Sequence, residues 1–207
     1  MKKSILWVIG LLFAVSFTVV SCEETTGVPD PYTDWENRNQ LYIDSIAKVA
    51  RANMGTEVGQ WRVVHTYKFD PPLNDLNPDV NDYVYCKILR KGEGTITPLF
   101  TDTVGVHYRG KLIPLYDGTE VVFDQSFQGE LNVDISIPMY SPSVDENGNV
   151  SDLTVGVKSV SMHMVEGDRW EVYVPYKLGY GVYDSGSVPG YSTLIFDWYM
   201  EDIRQFK

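Results

Sequence analysis

The stretch TVGVHYRGKL, residues 103–112, alternates apolar and polar side chains with a period of two. Val104, Val106, Tyr108 and Leu112 fall on one face and Thr103, His107, Arg109 and Lys111 on the other, the pattern of a strand with one buried side. Outward from it, the chain from Tyr83 onward keeps the same texture of strands and tight turns. DYVYCKILRKGEG (82–94) alternates and stops at a pair of glycines, and Asp117 with Gly118 marks a turn ahead of TEVVFDQSF (119–127). DRWEVYVP (168–175) and STLIFDWYMEDI (192–203) are further strands, the second with Leu194, Phe196, Trp198 and Met200 on one face. One segment breaks the pattern. In LTVGVKSVSMHM (153–164), Leu153, Val157, Val160 and Met164 recur at intervals of four, three and four, which predicts a helix laid on the sheet. The fold class is α+β, an antiparallel sheet with one covering helix.

Ahead of Tyr83 the composition differs. TGVPDPYTD (26–34) is rich in Pro, Thr and Asp and reads as extended linker. Thr33 and Glu36 then have the spacing of a capping box, followed by Trp35, Tyr42, Ile46 and Val49 at helical spacing. This predicts one amphipathic helix over about residues 34–52, ending near residues 53–55. EVGQWRVVHTYKF (57–69) supplies a strand and DPPLNDLNPDVND (70–82) a polar connection interrupted by prolines. The expected organisation is a signal segment over 1–21, a tether with a helix and a strand over 22–82, and a folded domain over 83–207.

The first residues bear on compartment. Met1, Lys2 and Lys3 give a short basic start, followed by the apolar run ILWVIGLLFAVSFTVV and then Ser21 and Cys22. A basic start, an apolar core and small residues at a processing point make a secretory signal. Val19, Val20, Ser21 and Cys22 resemble a bacterial lipobox, in which the Cys carries lipid and becomes the mature N-terminus. The alternative is a plain signal peptide, or an uncleaved anchor, with an incidental Cys. A lipid on Cys22 would hold the chain at a membrane through about 0.8 kcal/mol per buried methylene. Glu23 and Glu24 resemble the surface-export signals of Bacteroidetes-type lipoproteins. The expected location is the cell envelope, at the outer membrane and facing the periplasm or the outside. Loss of Lys2 and Lys3 takes the formal charge from −11 to −13, which argues against nucleic acid as a partner, since phosphate contacts need clustered Lys and Arg. With Cys22 lipidated, Cys86 has no partner for a disulfide; its alternating strand context reads as a small buried apolar residue.

VVFDQSF (121–127) raises a chemical question, because it sets Asp124 between Phe123 and Phe127. An ionised carboxylate is costly to take out of water unless something pairs with it. Asp124 is either a turn acid at a strand end or a group placed at an apolar pocket. Motifs for hydrolytic, redox or metal chemistry are missing. His65, His107 and His163 lie far apart without Cys or carboxylates at ligand spacing, so no metal site is expected. GSVPG (186–190) lacks the order of a nucleophile elbow. DENGN (145–149) lacks the Gly and terminal Glu spacing of a calcium loop and reads as a hairpin turn. No cofactor is implied.

Four stretches in order, VGVHYRGKL, DGTEVVFDQSF, EGDRWEVYVPYKLGYG and GSVPGYSTLIFDWYMEDI, resemble an FKBP-type peptidyl-prolyl cis-trans isomerase. The resemblance covers about residues 83–207. It implies a twisted antiparallel sheet wrapped around a short helix, with an apolar pocket between them. By the family's pattern the pocket residues are Tyr108, Phe123, Asp124, Tyr180 and Phe196. Substrate contacts are implied for Leu153 and Thr154 at the helix start, for Val157, and for Val188 and Tyr191 in the loop before the last strand. Two departures stand out. The family commonly has Trp where this chain has Val157, which bears on macrolide inhibitors more than on catalysis, and Tyr191 stands where other residues are usual. The stretch 129–151 is longer than a minimal domain needs.

What the resemblance implies is a rotamase acting on proline-containing peptides and unfolded envelope proteins, with Asp124 held by donors such as the Tyr108 hydroxyl. Two alternatives use the same residues. One is a peptide-binding or chaperone lipoprotein without rate enhancement. The other is a structural part of an envelope complex, docking through the acidic tether and the helix over 34–52.

Overall fold

Strand β3 (Thr103–Lys111) pairs along its whole length with β9 (Leu194–Arg204), and this ladder anchors the sheet. In the computed structural model, which describes residues 30–67, 79–144, 150–151 and 153–205, seven strands form one sheet. They are β1 (Trp61–His65), β2 (Tyr83–Arg90), β3, β4 (Val122–Gln125), β5 (Met139–Ser141), β8 (Arg169–Val174) and β9. Their order is β1-β2-β8-β9-β3-β4, with β5 also paired to β3, and all these pairs are antiparallel. Two short strands, β6 (Ser143–Val144) and β7 (Val150–Ser151), pair apart from it. Helix α2 (Val155–Ser161) lies on one face, where Val157, Val160 and the following Met164 are buried against Val84, Cys86, Trp170, Val172 and Val174. Cys86 is buried, and desolvation pushes its thiol well above the usual range.

The face of β3 predicted to be buried is buried: Val104, Val106, Tyr108 and Leu112 all belong to this core. The opposite face is not left to solvent. His107 is fully buried there, bonded to the Glu201 carboxylate and near the Tyr199 ring.

Helix α1 (Trp35–Ala52) covers the other side of the sheet, on β1 and β2, and reaches Tyr173 of β8. Ile43, Ala47 and Ala50 meet Trp61, Tyr85 and Tyr173, which alternate with the core residues Val84, Cys86, Val172 and Val174 and so point the opposite way. Two details differ from the sequence expectation. The buried stripe is Trp35, Asn39, Ile43, Ala47 and Ala50, while Tyr42 and Ile46 flank it and Val49 is exposed. The alanines let the helix approach the aromatic surface closely, and that selects the face. The capping box does not form either. The Thr33 hydroxyl donates backward to the Asp30 carbonyl at 2.6 Å, and Asp34 at the N-cap takes a left-handed φ of 54° without a side-chain cap bond.

Residues 35–65, grouped with the tether by composition, are thus packed onto and hydrogen-bonded into the sheet. The signal segment and Cys22, most of the connection over 70–82 and the turn DENGN lie outside the described residues. Among the described residues no helix is long and apolar enough to cross a membrane.

Gly156 shows how close α2 comes to the sheet. A Cβ there would lie 2.4 Å from Val174 Cγ1 and 3.1 Å from the Leu178 carbonyl oxygen. Helix propensity alone would make Gly156→Ala stabilising by about 1 kcal/mol, whereas overpacking costs about 1–3 kcal/mol. The expected result is net destabilisation, read as a lower urea midpoint at unchanged m-value.

Candidate active site

Three strands bring the site together. The register pairs Gly110 of β3 with Asp124 of β4 on one side and with Phe196 of β9 on the other, and pairs Tyr108 with Trp198. Because side chains alternate, Tyr108 and Gly110 share a face, as do Phe196 and Trp198. Between Gly110 and Lys111 the register of β4 slips: Gly110 pairs with Asp124 but Lys111 with Val122. Phe123 is therefore the extra residue of a β-bulge. That lets two sequence neighbours serve one pocket. The Phe123 ring meets Phe196 edge to face at 5.6 Å and Tyr180 at 6.4 Å, while Asp124 accepts the Tyr108 hydroxyl at 2.6 Å.

Gly110 makes the ring contact possible. A Cβ on it would stand 2.5 Å from Phe123 Cζ and 2.9 Å from Phe196 Cε1. Trp198 closes the cluster at its base, with ring centroids 5.6 Å from Tyr108 and 5.8 Å from Phe196. It is deeper than either, at 1% exposure, and its buried indole N–H has no acceptor. The edge-on pairs Phe123–Phe196 and Phe196–Trp198 contribute about 0.5–1.5 kcal/mol each beyond their burial. Neither Gly110 nor Trp198 was singled out for the pocket from sequence. The signals that could have found them are the missing Cβ two residues after Tyr108 and the period-two placement of Trp198 after Phe196.

Asp124 is exposed, and both its oxygens are engaged: Oδ2 by the Tyr108 hydroxyl and Oδ1 by the Gln125 backbone N–H at 2.8 Å. Tyr108 is itself fixed, its N–H donating to Ser126 Oγ at 2.8 Å. Burial pushes the Tyr108 phenol up strongly, and the bond to Asp124, the charge of Asp124 and nearby Tyr180 add to this. Tyr180, in the turn after the 3-10 helix Tyr176–Leu178, is 42% exposed, and its phenol is raised by burial and then by the charge of Asp124. The hydroxyls of Tyr108 and Tyr180 thus stay protonated donors around one fixed carboxylate.

The remaining residues singled out from sequence stand around this group. Val157 is 2% exposed and belongs to the same apolar core as Tyr108 and Phe196. Leu153 is half-buried against that core. Thr154 is the N-cap of α2, and its buried hydroxyl has no hydrogen-bond partner. Val188 is buried in the same core, in the loop before β9. Tyr191 packs on a ring outside the cluster. Held at a φ of 62°, it packs on Tyr176 at 5.2 Å, and its N–H donates to the Gly181 carbonyl. Among the described residues no three His, Cys, Asp or Glu side chains gather as a metal site.

Comparison with known proteins bears on this arrangement. The family model described as FKBP-type peptidyl-prolyl cis-trans isomerase matches residues 94–200. The chain is 37% identical over 112 residues to the FKBP-type 22 kDa peptidyl-prolyl cis-trans isomerase of Escherichia coli (strain K12), covering 54% of this chain and 45% of that protein. It is 34% identical over 111 residues to the macrophage infectivity potentiator of Trypanosoma cruzi, covering 53% and 47%. The chain thus spans less than half the length of these curated relatives. Two solved structures share its fold. FkpA from Escherichia coli gives a TM-score of 0.52 at 24% identity, covering 84% of this chain and 61% of that one. A peptidyl-prolyl cis-trans isomerase from Pseudomonas syringae pv. tomato gives 0.50 at 20% identity, covering 86% and 100%.

The raised Tyr108 phenol has a measurable consequence. A raised pKa favours the protonated form, so in a ring-13C NMR titration the Tyr108 signal should stay flat through about pH 10, where a free tyrosine is half ionised. Asp124→Asn removes a charge that opposes ionisation, so the onset for Tyr108 should move to lower pH in that variant.

Proposed function

The chain belongs to the FKBP-type peptidyl-prolyl cis-trans isomerase family, and on that premise we propose that its aromatic pocket catalyses rotation about the bond preceding proline. The observation that carries this reading is the Tyr108–Asp124 hydrogen bond at the edge of the cluster formed by Phe123, Phe196 and Trp198. The X–Pro bond resists rotation by about 18–20 kcal/mol because of its partial double-bond character. Its twisted transition state has lost amide resonance and is less polar than either planar form. A wall of Tyr108, Phe123 and Phe196 disfavours the solvated planar imide relative to the twisted one.

Polar groups then orient the peptide. Asp124, with both oxygens held, presents a fixed field to the twisting carbonyl without having to reorganise. The exposed Tyr180 hydroxyl and the N–H of Thr154 are the donors assigned to substrate carbonyls. Leu153, Val188 and Tyr191 bound the cleft, and Val157 lies beneath it. No nucleophile or proton transfer is called for.

The proposal extends to location. The N-terminal sequence supports export, lipidation at Cys22 and anchoring in the cell envelope at the outer membrane. The substrates there are proline-containing segments of unfolded envelope proteins. A second reading keeps the fold as a peptide-binding module without rate enhancement, and Val157 in place of a ring favours it.

NMR exchange spectroscopy on a short X–Pro peptide series, with the full-length chain in mild detergent, separates the two. The expected result is accelerated cis/trans exchange by the wild type. In both Asp124→Ala and Phe196→Ala, kcat/KM should fall by tenfold or more, about 1.4 kcal/mol of transition-state stabilisation per tenfold. Binding without acceleration in the wild type would leave the recognition module.

A further inference from the structure

Helix α1 has one polar residue in its buried stripe. Trp35, Ile43, Ala47 and Ala50 are apolar, but Asn39, between them, is 2% exposed. A buried amide is costly unless its hydrogen bonds are made, and both of its ends are used. Nδ2 donates to the Trp35 carbonyl at 2.8 Å, and Oδ1 accepts the Thr193 backbone N–H at 2.7 Å. The first bond fixes which end of the amide faces outward, and the second reaches 154 residues along the chain. One turn earlier, Trp35 Nε1 donates to Ser192 Oγ at 3.0 Å, and Ser192 Oγ donates to the Pro189 carbonyl at 2.6 Å.

These bonds converge on residues 188–193, the segment that carries Val188 and Tyr191 and leads into β9 three residues before Phe196. The segment has no regular structure of its own ahead of Leu194. It is tied to the rest of its loop by the Val188, Gly190 and Tyr191 N–H groups, which donate to the Ser185 carbonyl, Asp184 Oδ1 and the Gly181 carbonyl, and by the Val188 carbonyl, which accepts the Ser185 N–H. The last two residues before the strand are fastened to α1 instead. The same end of the helix and the turn ahead of it also grip the connection between β3 and β4, since Arg38 donates to the Pro114 carbonyl and the Tyr116 N–H donates to the Pro31 carbonyl. Helix α1 lies outside the residues 94–200 that match the family model.

We propose that α1 is a working part of the pocket, with Asn39 and Trp35 as positioning residues that hold residues 188–193 in the shape that receives substrate. The proposal rests on the reading of this pocket as a peptide site. Left without Asn39, the Thr193 N–H has no partner in a buried place, and the segment escapes that cost only by moving. Movement there shifts Val188 and the root of the Phe196 strand together.

The test uses full-length protein carrying Asn39→Leu, which keeps an apolar helix face but removes the amide, or Trp35→Phe, which keeps a ring but removes the indole N–H. Two readouts run in parallel: amide hydrogen exchange, and steady-state isomerisation with an X–Pro peptide. Both variants should speed exchange at residues 188–193 while leaving β2 and β8 protected. In both, kcat/KM should drop on the order of tenfold, mainly through KM. Unchanged kinetics in the presence of faster local exchange, or faster exchange spread evenly over the sheet in both variants, would overturn the proposal. Should the wild type catalyse no exchange, the isomerase reading fails by itself; the KM arm is then replaced by the peptide Kd, which must still weaken in both variants.

Discussion

Phe123 sits between two ladder pairs, Gly110 with Asp124 and Lys111 with Val122, and has no partner of its own. In a regular strand, Phe123 and Asp124 would point to opposite faces. The bulge turns both to one side, where the ring closes on Phe196 and the carboxylate meets the Tyr108 hydroxyl. Everything in the pocket depends on that placement. The absent Cβ at Gly110 gives the two phenyl rings room to meet, and Tyr108 is anchored through Ser126, just beyond the bulged strand. A charge beside aromatic rings is tolerated here because it stays at the rim and both its oxygens accept hydrogen bonds.

A second constraint is that the sheet is covered on both faces. The inner residues of β2 and β8 carry α2, and the residues between them, Tyr85 and Tyr173, carry α1. Where both sides are covered, successive residues are apolar or aromatic, as in YVYC (83–86) of β2 and VYV (172–174) of β8, and such runs follow from that rather than from a single buried face. The N-terminal helix therefore belongs to the same body as the pocket, and its polar contacts end on the loop that leads into β9.

Much of this was legible in the sequence. Period two in residues 103–112 and 192–203 gave the two central strands, and the spacing of Val157, Val160 and Met164 gave the helix on the sheet. The motifs around Tyr108, Phe123, Asp124 and Phe196 identified residues that the fold does bring together. The capping pattern at Thr33 misled because the Thr33 hydroxyl was already committed to the Asp30 turn. For Tyr191 the position in the loop was legible but its packing was not: a left-handed backbone holds its ring on Tyr176.

What the sequence determined by itself is what depends on neighbours along the chain: which segments are strands, where the short helix lies, and which side chains alternate inward. What only the tertiary structure decided is what depends on register and on contacts between distant segments. The unpaired place of Phe123 needs β3 and β4 aligned to a single residue, and a one-residue slip has no signature in hydropathy. Trp198 reaches the pocket only because β9 pairs with β3 so that it faces Tyr108. Asn39 looks like a surface residue in the helix until Thr193, far along the chain, presents a buried N–H that needs an acceptor. A local pattern fixes how a segment folds; the partner it meets decides what each of its side chains is for.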